Sequence, residues 1–202
     1  MKSLCVCLLM IVAWQSRAQS EKLNHQVIIT SSHFTLVGTT NLNTFSCSLV
    51  QEFPTLAMPV TSTNGEYHIS FSGLELTYPI KEFDCGLEAM SQDLRNTLNA
   101  KNFPNLVLKI NDIFIKRKPQ EIENLDVSAE VTITLAGVSN DITIKEGTVI
   151  NRSEEALTLT GKTDISMESF KLNPPTKFFG MVKVNSELQV AFELNMKVNT
   201  EN

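Results

Sequence analysis

The chain has 202 residues, 42% of them hydrophobic, with 17 basic and 22 acidic side chains and a net charge of −5. A moderately acidic chain with no basic stripe and no interleaved aromatics is a poor partner for phosphate backbones or anionic membrane surfaces, so nucleic-acid binding is excluded as an expectation. The length suits one domain with a sizeable core, and no internal repeat, low-complexity tract or linker divides it.

Residues 1–18 read as a secretory leader. Lys2 supplies a positive start, residues 4–14 form an uncharged apolar run, and Ser16-Arg17-Ala18 places small residues where a signal peptidase reads. The run is too short to span hydrocarbon, which takes ~20 residues, and no later segment is long and apolar enough. Cleavage near Ala18 leaves residues 19–202 as one domain, periplasmic or secreted. It removes Lys2 and Arg17, leaving 15 basic against 22 acidic residues, a net charge of −7. Cys5 and Cys7 leave with the leader. Cys47 and Cys85 remain, and two cysteines in an exported chain invite a disulfide; two separate buried thiols are the alternative. Without nearby histidine or carboxylate partners they do not complete a metal site.

The mature chain is dominated by period-two alternation. Residues 26–36 form the first strand, with Val27, Ile29, Phe34 and Leu36 apolar, and residues 45–49 form a short second one. Residues 66–71 and 74–80 flank Ser72-Gly73, which is either a turn or a bulge. Leu87, Met90, Leu94 and Leu98 recur at helical spacing, with Asp84 placed to cap the helix and Phe103-Pro104 to end it. Residues 106–115 form a strand, and the basic cluster Lys116-Arg117-Lys118 before Pro119 reads as a solvated hairpin turn. Leu125, Val127, Ala129, Val131, Ile133 and Leu135 alternate with polar residues along the clearest strand. A turn follows at Gly137-Val138-Ser139-Asn140. Residues 142–144, 148–150 and 156–167 complete the middle strands, with a bend expected at Gly161. A short helical turn over residues 167–172 precedes Pro174-Pro175. Leu188, Val190, Phe192, Leu194, Met196 and Val198 mark the last strand. The class is all-β and antiparallel with about eight strands. Pattern leaves a barrel and a sandwich as competitors, and the long amphipathic strands favour the barrel.

Three stretches resemble one known family. Phe34-Thr35-Leu36-Val37-Gly38-Thr39-Thr40-Asn41-Leu42 is similar to its opening strand. Met90-Ser91-Gln92-Asp93-Leu94-Arg95-Asn96-Thr97-Leu98-Asn99-Ala100 with Phe103-Pro104-Asn105-Leu106 is similar to its helix and the proline that starts the next strand. Val131-Thr132-Ile133-Thr134-Leu135-Ala136-Gly137-Val138, continuing through Met167-Glu168-Ser169-Phe170-Lys171-Leu172, Pro174-Pro175-Thr176 and Gly180, is similar to a later strand, turn and closing segment. In order and spacing the chain resembles a divergent, cysteine-paired branch of the YceI-like family of periplasmic, lipocalin-type isoprenoid-binding proteins, over nearly all of its mature length. The resemblance implies an eight-stranded antiparallel lipocalin-like barrel with one helix over it, and a long isoprenoid or lipid chain in the lumen.

A barrel of about eight strands has room for a filled core or one slender ligand. The inward positions read as lumen candidates are Phe34 and Leu36; Ile69, Phe71 and Leu108; Val131 and Ile133; Leu157 and Leu159; and Phe170, Val190 and Phe192. Each also reads as ordinary core. A buried alkyl chain gains ~0.8 kcal/mol per CH₂, so a long chain binds without a polar anchor. Catalytic equipment is not in view. No signature sets His25, His33 or His68 beside an activated Ser or Cys, Ser46-Cys47-Ser48 reads as half of a disulfide, and Asp141, Glu146, Glu154 and Glu155 read as solvated acids. No cofactor motif is present, and no signal bears on oligomeric state. Asn151-Arg152-Ser153 matches a glycosylation acceptor, a chance match in a chain of bacterial resemblance. The expectation is therefore an exported carrier of an apolar ligand. The alternative is a ligand-free structural or interaction module of the cell envelope, its lumen plugged by Phe178 and Phe179.

Overall fold

The alternation along the chain is realised as nine antiparallel strands and one helix in a computed structural model that describes residues 22–63, 68–116, 124–151, 153, 156–177 and 181–199. The leader, residues 117–119, Glu154, Glu155, Phe178 and Phe179 lie outside the described residues. The strands are β1 (Lys22–Thr40), β2 (Thr44–Thr63), β3 (His68–Pro79), β4 (Asn105–Ile115), β5 (Asn124–Leu135), β6 (Val138–Asn151), β7 (Ala156–Ser166), β8 (Thr176–Lys177) and β9 (Val182–Asn199), with helix α1 (Glu88–Thr97) between β3 and β4. Each strand from β1 to β6 pairs with the next. β9 then pairs with β7 on one side and with β1 on the other, so the ladder returns to its start. β8 is a two-residue strand against the beginning of β9. Eight long strands therefore make the lipocalin-like barrel that the pattern favoured.

Several strands are longer than the alternation suggests, because bulges interrupt the face pattern without ending the strand. Ser72-Gly73 is a bulge, not a turn: the register steps from Ser70–Asp112 to Leu74–Ile110, and Gly73 takes φ +82°. The segments at 142–144 and 148–150 belong to one strand, whose register steps between Ala129–Ile144 and Val127–Gly147. β2 runs on to Thr63 instead of ending near residue 49. Gly161 is not a bend; it lies mid-strand, opposite Phe192 on β9 and Gly147 on β6. A Cβ placed there would stand 2.5 Å from Phe192 Cζ, so the glycine makes room for that ring. The turn expected at Gly137-Val138-Ser139-Asn140 is shorter and earlier: Ala136 (φ +50°) and Gly137 (φ +78°) form a two-residue hairpin with both central residues left-handed, and Val138, Ser139 and Asn140 already belong to β6.

The ring is uneven. Among the described residues, β2 and β3 pair only over Val60–Ser62 with Ile69–Phe71, and β6 and β7 only over Glu146–Asn151 with Leu157–Lys162. Beyond those rungs the ring splays at the α1 end into two four-stranded sheets, β7-β9-β1-β2 and β3-β4-β5-β6. The barrel and the sandwich are thus two ends of one molecule. Each seam has its own closure. At the first, a 3₁₀ turn (Ile80–Glu82) and Phe83 fold inward, Ser48 and Asp84 exchange backbone hydrogen bonds of 2.8 and 2.9 Å, and Cys47 is joined to Cys85. The disulfide therefore ties β2 to the segment that follows β3, where no ladder joins the two strands among the described residues. At the second seam a 3₁₀ turn (Met167–Phe170) buries Met167 and Phe170, and Asn140 Nδ2 donates to Ser169 O at 2.9 Å.

Helix α1 sits across the splayed end. Leu98 is buried and Met90 and Leu94 pack against the core, as their spacing predicts, but Leu87, read as part of the same face, is exposed. Asp84 does not cap it. Leu87 occupies the N-cap with no side-chain bond, and Asp84 Oδ1 accepts instead from the Gly86 N–H at 2.8 Å, shaping the turn before the helix. Asn99, at φ +53°, ends the helix in the left-handed conformation asparagine tolerates.

Candidate ligand lumen

The lumen is built from alternate side chains of the eight long strands, and its two ends differ. From the middle of the barrel toward α1 most inward residues are enclosed: Leu74, Leu76 and Leu194 expose 0% of their surface and Leu108 and Val131 about as little, although Leu188 and Ile165 keep 8% and 6%. A side chain with no accessible surface borders no water-sized space, so this half is filled by the protein's own residues. Toward the opposite end the same inward rows open. Val27, Phe71 and Met196 keep 7–9% of their surface, and Ile69, Ile115, Leu125, Val149 and Leu157 are half-buried against the core. Among the described residues, the half-buried apolar side chains of these rows gather at the end remote from the helix, which is the candidate mouth.

The residues read from sequence as lumen candidates come together in one core. Phe34 and Leu36 on β1, Leu108 on β4, Val131 and Ile133 on β5, Leu159 on β7, and Val190 and Phe192 on β9 occupy the filled half or the middle. Phe71 on β3 is buried at the mouth, where Ile69 and Leu157 are half-buried. Phe170 is not on a strand; it plugs the β6–β7 seam from the 3₁₀ turn.

Sequence reading missed the polar feature of the lumen. Ser32 is 1% exposed and Tyr78 0%, and their hydroxyl oxygens lie 2.8 Å apart. A bulge between Ile29 and Ser31, present in both ladders of β1, shifts the face pattern by one residue and turns Ser32 inward beside Phe34. The signal was in the chain: Val27 and Ile29 are odd-numbered, whereas Phe34 and Leu36 are even-numbered, so one residue must be extra between them. On β3, Leu74, Leu76 and Tyr78 alternate without interruption. The Tyr78 ring packs on Phe34 (centroids 5.2 Å) and Phe53 (6.2 Å), and Phe83 meets Phe34 edge-on at 5.9 Å. Burial, only partly offset by the Ser32 hydrogen bond, pushes the Tyr78 phenol up to about 12, so it stays a neutral donor and acceptor.

The outer face carries polar constellations of another kind. His68 Nε2 lies 2.7 Å from Asp112 Oδ1, the Ser70 hydroxyl donates to the same oxygen at 2.5 Å, and the imidazole stacks on Phe114 at 4.7 Å. Because Ser70 bonds the carboxylate and not the imidazole, this is not a nucleophile–base relay. The Ser70 hydrogen bond, with His68 assisting and against burial, holds the Asp112 carboxyl below the usual carboxylate range. Among the described residues, His33 Nε2 meets Thr35 Oγ1 at 3.5 Å. An open groove of 540 Å³ crosses the outer face over β1, β9, β7 and β6 and is lined also by Gly147, Gly161 and the inward Phe192, with Lys162 and Glu146 paired at 3.4 Å beside it. It is exterior and charged, unlike the apolar mouth.

Known proteins agree with this architecture. A polyisoprenoid-binding domain from Saccharophagus degradans superposes with a TM-score of 0.56 at 11% identity, covering 86% of this chain and 98% of its own. BcnA from Burkholderia cenocepacia gives 0.50 at 17% identity, over 84% of this chain and 96% of its own. The YCEI protein of Campylobacter jejuni gives 0.50 at 16% identity, over 69% and 79%. At such identities these likenesses speak to the fold. No curated protein matches the sequence. Residues 20–196, however, match the YceI-like domain along almost the whole barrel, and the chain belongs to the YceI-like family.

Proposed function

We propose that this protein is an exported carrier that holds an apolar, isoprenoid- or lipid-like chain in its barrel, the chain reaching the lumen through the mouth remote from α1. The lining carries the reading: the inward rows are apolar except for Ser32 and Tyr78, enclosed through the middle of the barrel and flanked by half-buried apolar side chains at the end remote from α1. Each CH₂ taken up there gains ~0.8 kcal/mol. The polyisoprenoid-binding name of the Saccharophagus degradans relative supports the ligand class. The Cys47–Cys85 disulfide supports export, with the leader cut near Ala18 and the mature protein in the periplasm or outside the cell.

A second reading, a ligand-free interaction module of the cell envelope, is favoured by the filled half of the lumen around Leu74, Leu76 and Leu194. Native mass spectrometry of the mature protein from its own envelope separates the two. A bound mass of an isoprenoid or lipid that disappears on solvent extraction supports the carrier. A bare polypeptide mass, with no uptake of an added C15 isoprenoid alcohol, overturns it in favour of the module.

A further inference from the structure

Of the described residues, Ser32, Ser91 and Thr158 are buried polar side chains, and Tyr78 adds a buried phenol. Ser91 serves the backbone: its Oγ accepts from the Cys85 N–H and donates to Leu87 O. Thr158 Oγ1 donates to Asn195 Oδ1, whose amide in turn donates to Ser31. Both are used by the fold. The lumen pair differs. Two hydroxyls hold two hydrogens, and the bond between Ser32 and Tyr78 uses one of them. Among the described residues no acceptor takes the other, and the surroundings are Phe34, Phe53 and aliphatic side chains. Leaving a buried donor unused is costly, and alanine and phenylalanine at the two positions would avoid that cost.

We infer that Ser32 and Tyr78 form a polar anchor in the lumen, and that the ligand is a long apolar chain carrying an oxygen acceptor, such as an alcohol or a carbonyl, rather than a bare hydrocarbon. This deepens the carrier reading and rests on it. The pair is enclosed here, so occupancy requires the barrel to widen beside it. The place is suited to that: Tyr78 lies on the stretch of β3 that has no β2 partner, and half-buried Phe53 faces it from the unpaired stretch of β2. No ladder hydrogen bond joins β2 to β3 at this level, so Phe53 can swing aside without breaking one.

The test compares farnesol with β-farnesene, which shares its carbon skeleton and lacks the oxygen, by equilibrium binding to mature wild-type protein and to the Tyr78→Phe and Ser32→Ala variants. Thermal melts confirm that each variant is folded. The expected result is that the ratio of farnesol to farnesene affinity falls roughly three- to tenfold in both variants, the effect of one neutral hydrogen bond, while farnesene binding itself is unchanged. A ratio that stays the same in both variants overturns the anchor and leaves the carrier reading standing. Failure of both compounds to bind wild-type protein overturns the carrier reading and the anchor with it.

Discussion

Replacing Gly161 with alanine is expected to destabilise the protein, although the usual sign of that change in an extended segment is the opposite. Gly161 has no positive φ, so alanine fits its backbone, and the reduced freedom of the unfolded chain alone would stabilise by ~0.4–1 kcal/mol. The new methyl, however, would lie 2.5 and 2.8 Å from Phe192 Cζ and Cε1, and 3.3 Å from Ile144 Cγ2. Phe192 is itself buried between Phe34 across the β1–β9 ladder and Gly161 across the β7–β9 ladder, so its ring has little room to retreat. Overfilling a core in this way costs ~1–3 kcal/mol, which outweighs the entropic gain. The net expectation is a loss of about 1–2 kcal/mol, or roughly 3–6 °C in melting temperature for a domain of this size. Urea denaturation of Gly161→Ala, Phe192→Leu and the double variant measures it, and the shorter leucine should absorb the added methyl, giving a coupling of about 1 kcal/mol or more. If Gly161→Ala is as stable as wild type, or the two changes simply add, then Phe192 does not occupy the space above the glycine and the account of β7 is wrong.

Three other outcomes follow from the same structure. Removing the disulfide as Cys47→Ala/Cys85→Ala is expected to lower unfolding stability by about 4 kcal/mol, from the entropy of the loop it closes; a loss below about 1 kcal/mol in denaturant titration would show that the seam is held by the Ser48–Asp84 bridge alone. Asp112 has a depressed pKa, so its share of stability is present above the unfolded carboxylate value and is lost as pH falls through the lower folded value. Acid unfolding of Asp112→Asn should therefore show a shallower decline below about pH 4 than wild type, and an identical pH profile would contradict the Ser70–Asp112 contact. Tyr78 has a raised pKa, so its contribution is complete below the unfolded value near 10 and is lost as pH rises toward about 12. Absorbance titration of a Tyr67→Phe variant, which isolates Tyr78, should find no phenolate until well above pH 10, and ionisation at the ordinary value would refute its burial.

Fold class was legible in the chain because a half-buried strand writes its two faces into alternate residues, as from Leu125 to Leu135 or from Leu188 to Val198. The helix was legible for the same reason at a different period. Strand continuity was not. A bulge inserts extra residues into one strand and disturbs its face pattern, so β3 and β6 each read as two short strands, whereas Gly161, mid-strand with no bulge beside it, read as a bend only because it is a glycine. The helix start was misplaced because Asp84 can serve either a cap or a turn, and only the path of the chain into the disulfide decides between them. Of the candidate site, the apolar lining was visible by parity. Ser32 was hidden because it is polar and follows the bulge at Ile29, so it looks like a surface residue until the face exchange is counted. The two seams were beyond reach, since the length of a ladder between two strands depends on how the sheet coils and not on either strand's composition.

The β1–β9 ladder has a consequence for how the molecule comes into being. Pairs such as Gln26–Asn199 and Leu36–Val190 join residues more than 150 positions apart, and β1 has no other neighbour on that side. During synthesis β1 therefore waits for β9, the last of the described strands, before this edge can be paired. Contacts of such long separation make folding slow, and until β9 arrives the edge of β1 stands open to strands of other chains. Closure of the barrel is thus deferred until β9 has been made, and in that interval the chain depends on whatever keeps its unpaired edge from finding the wrong partner.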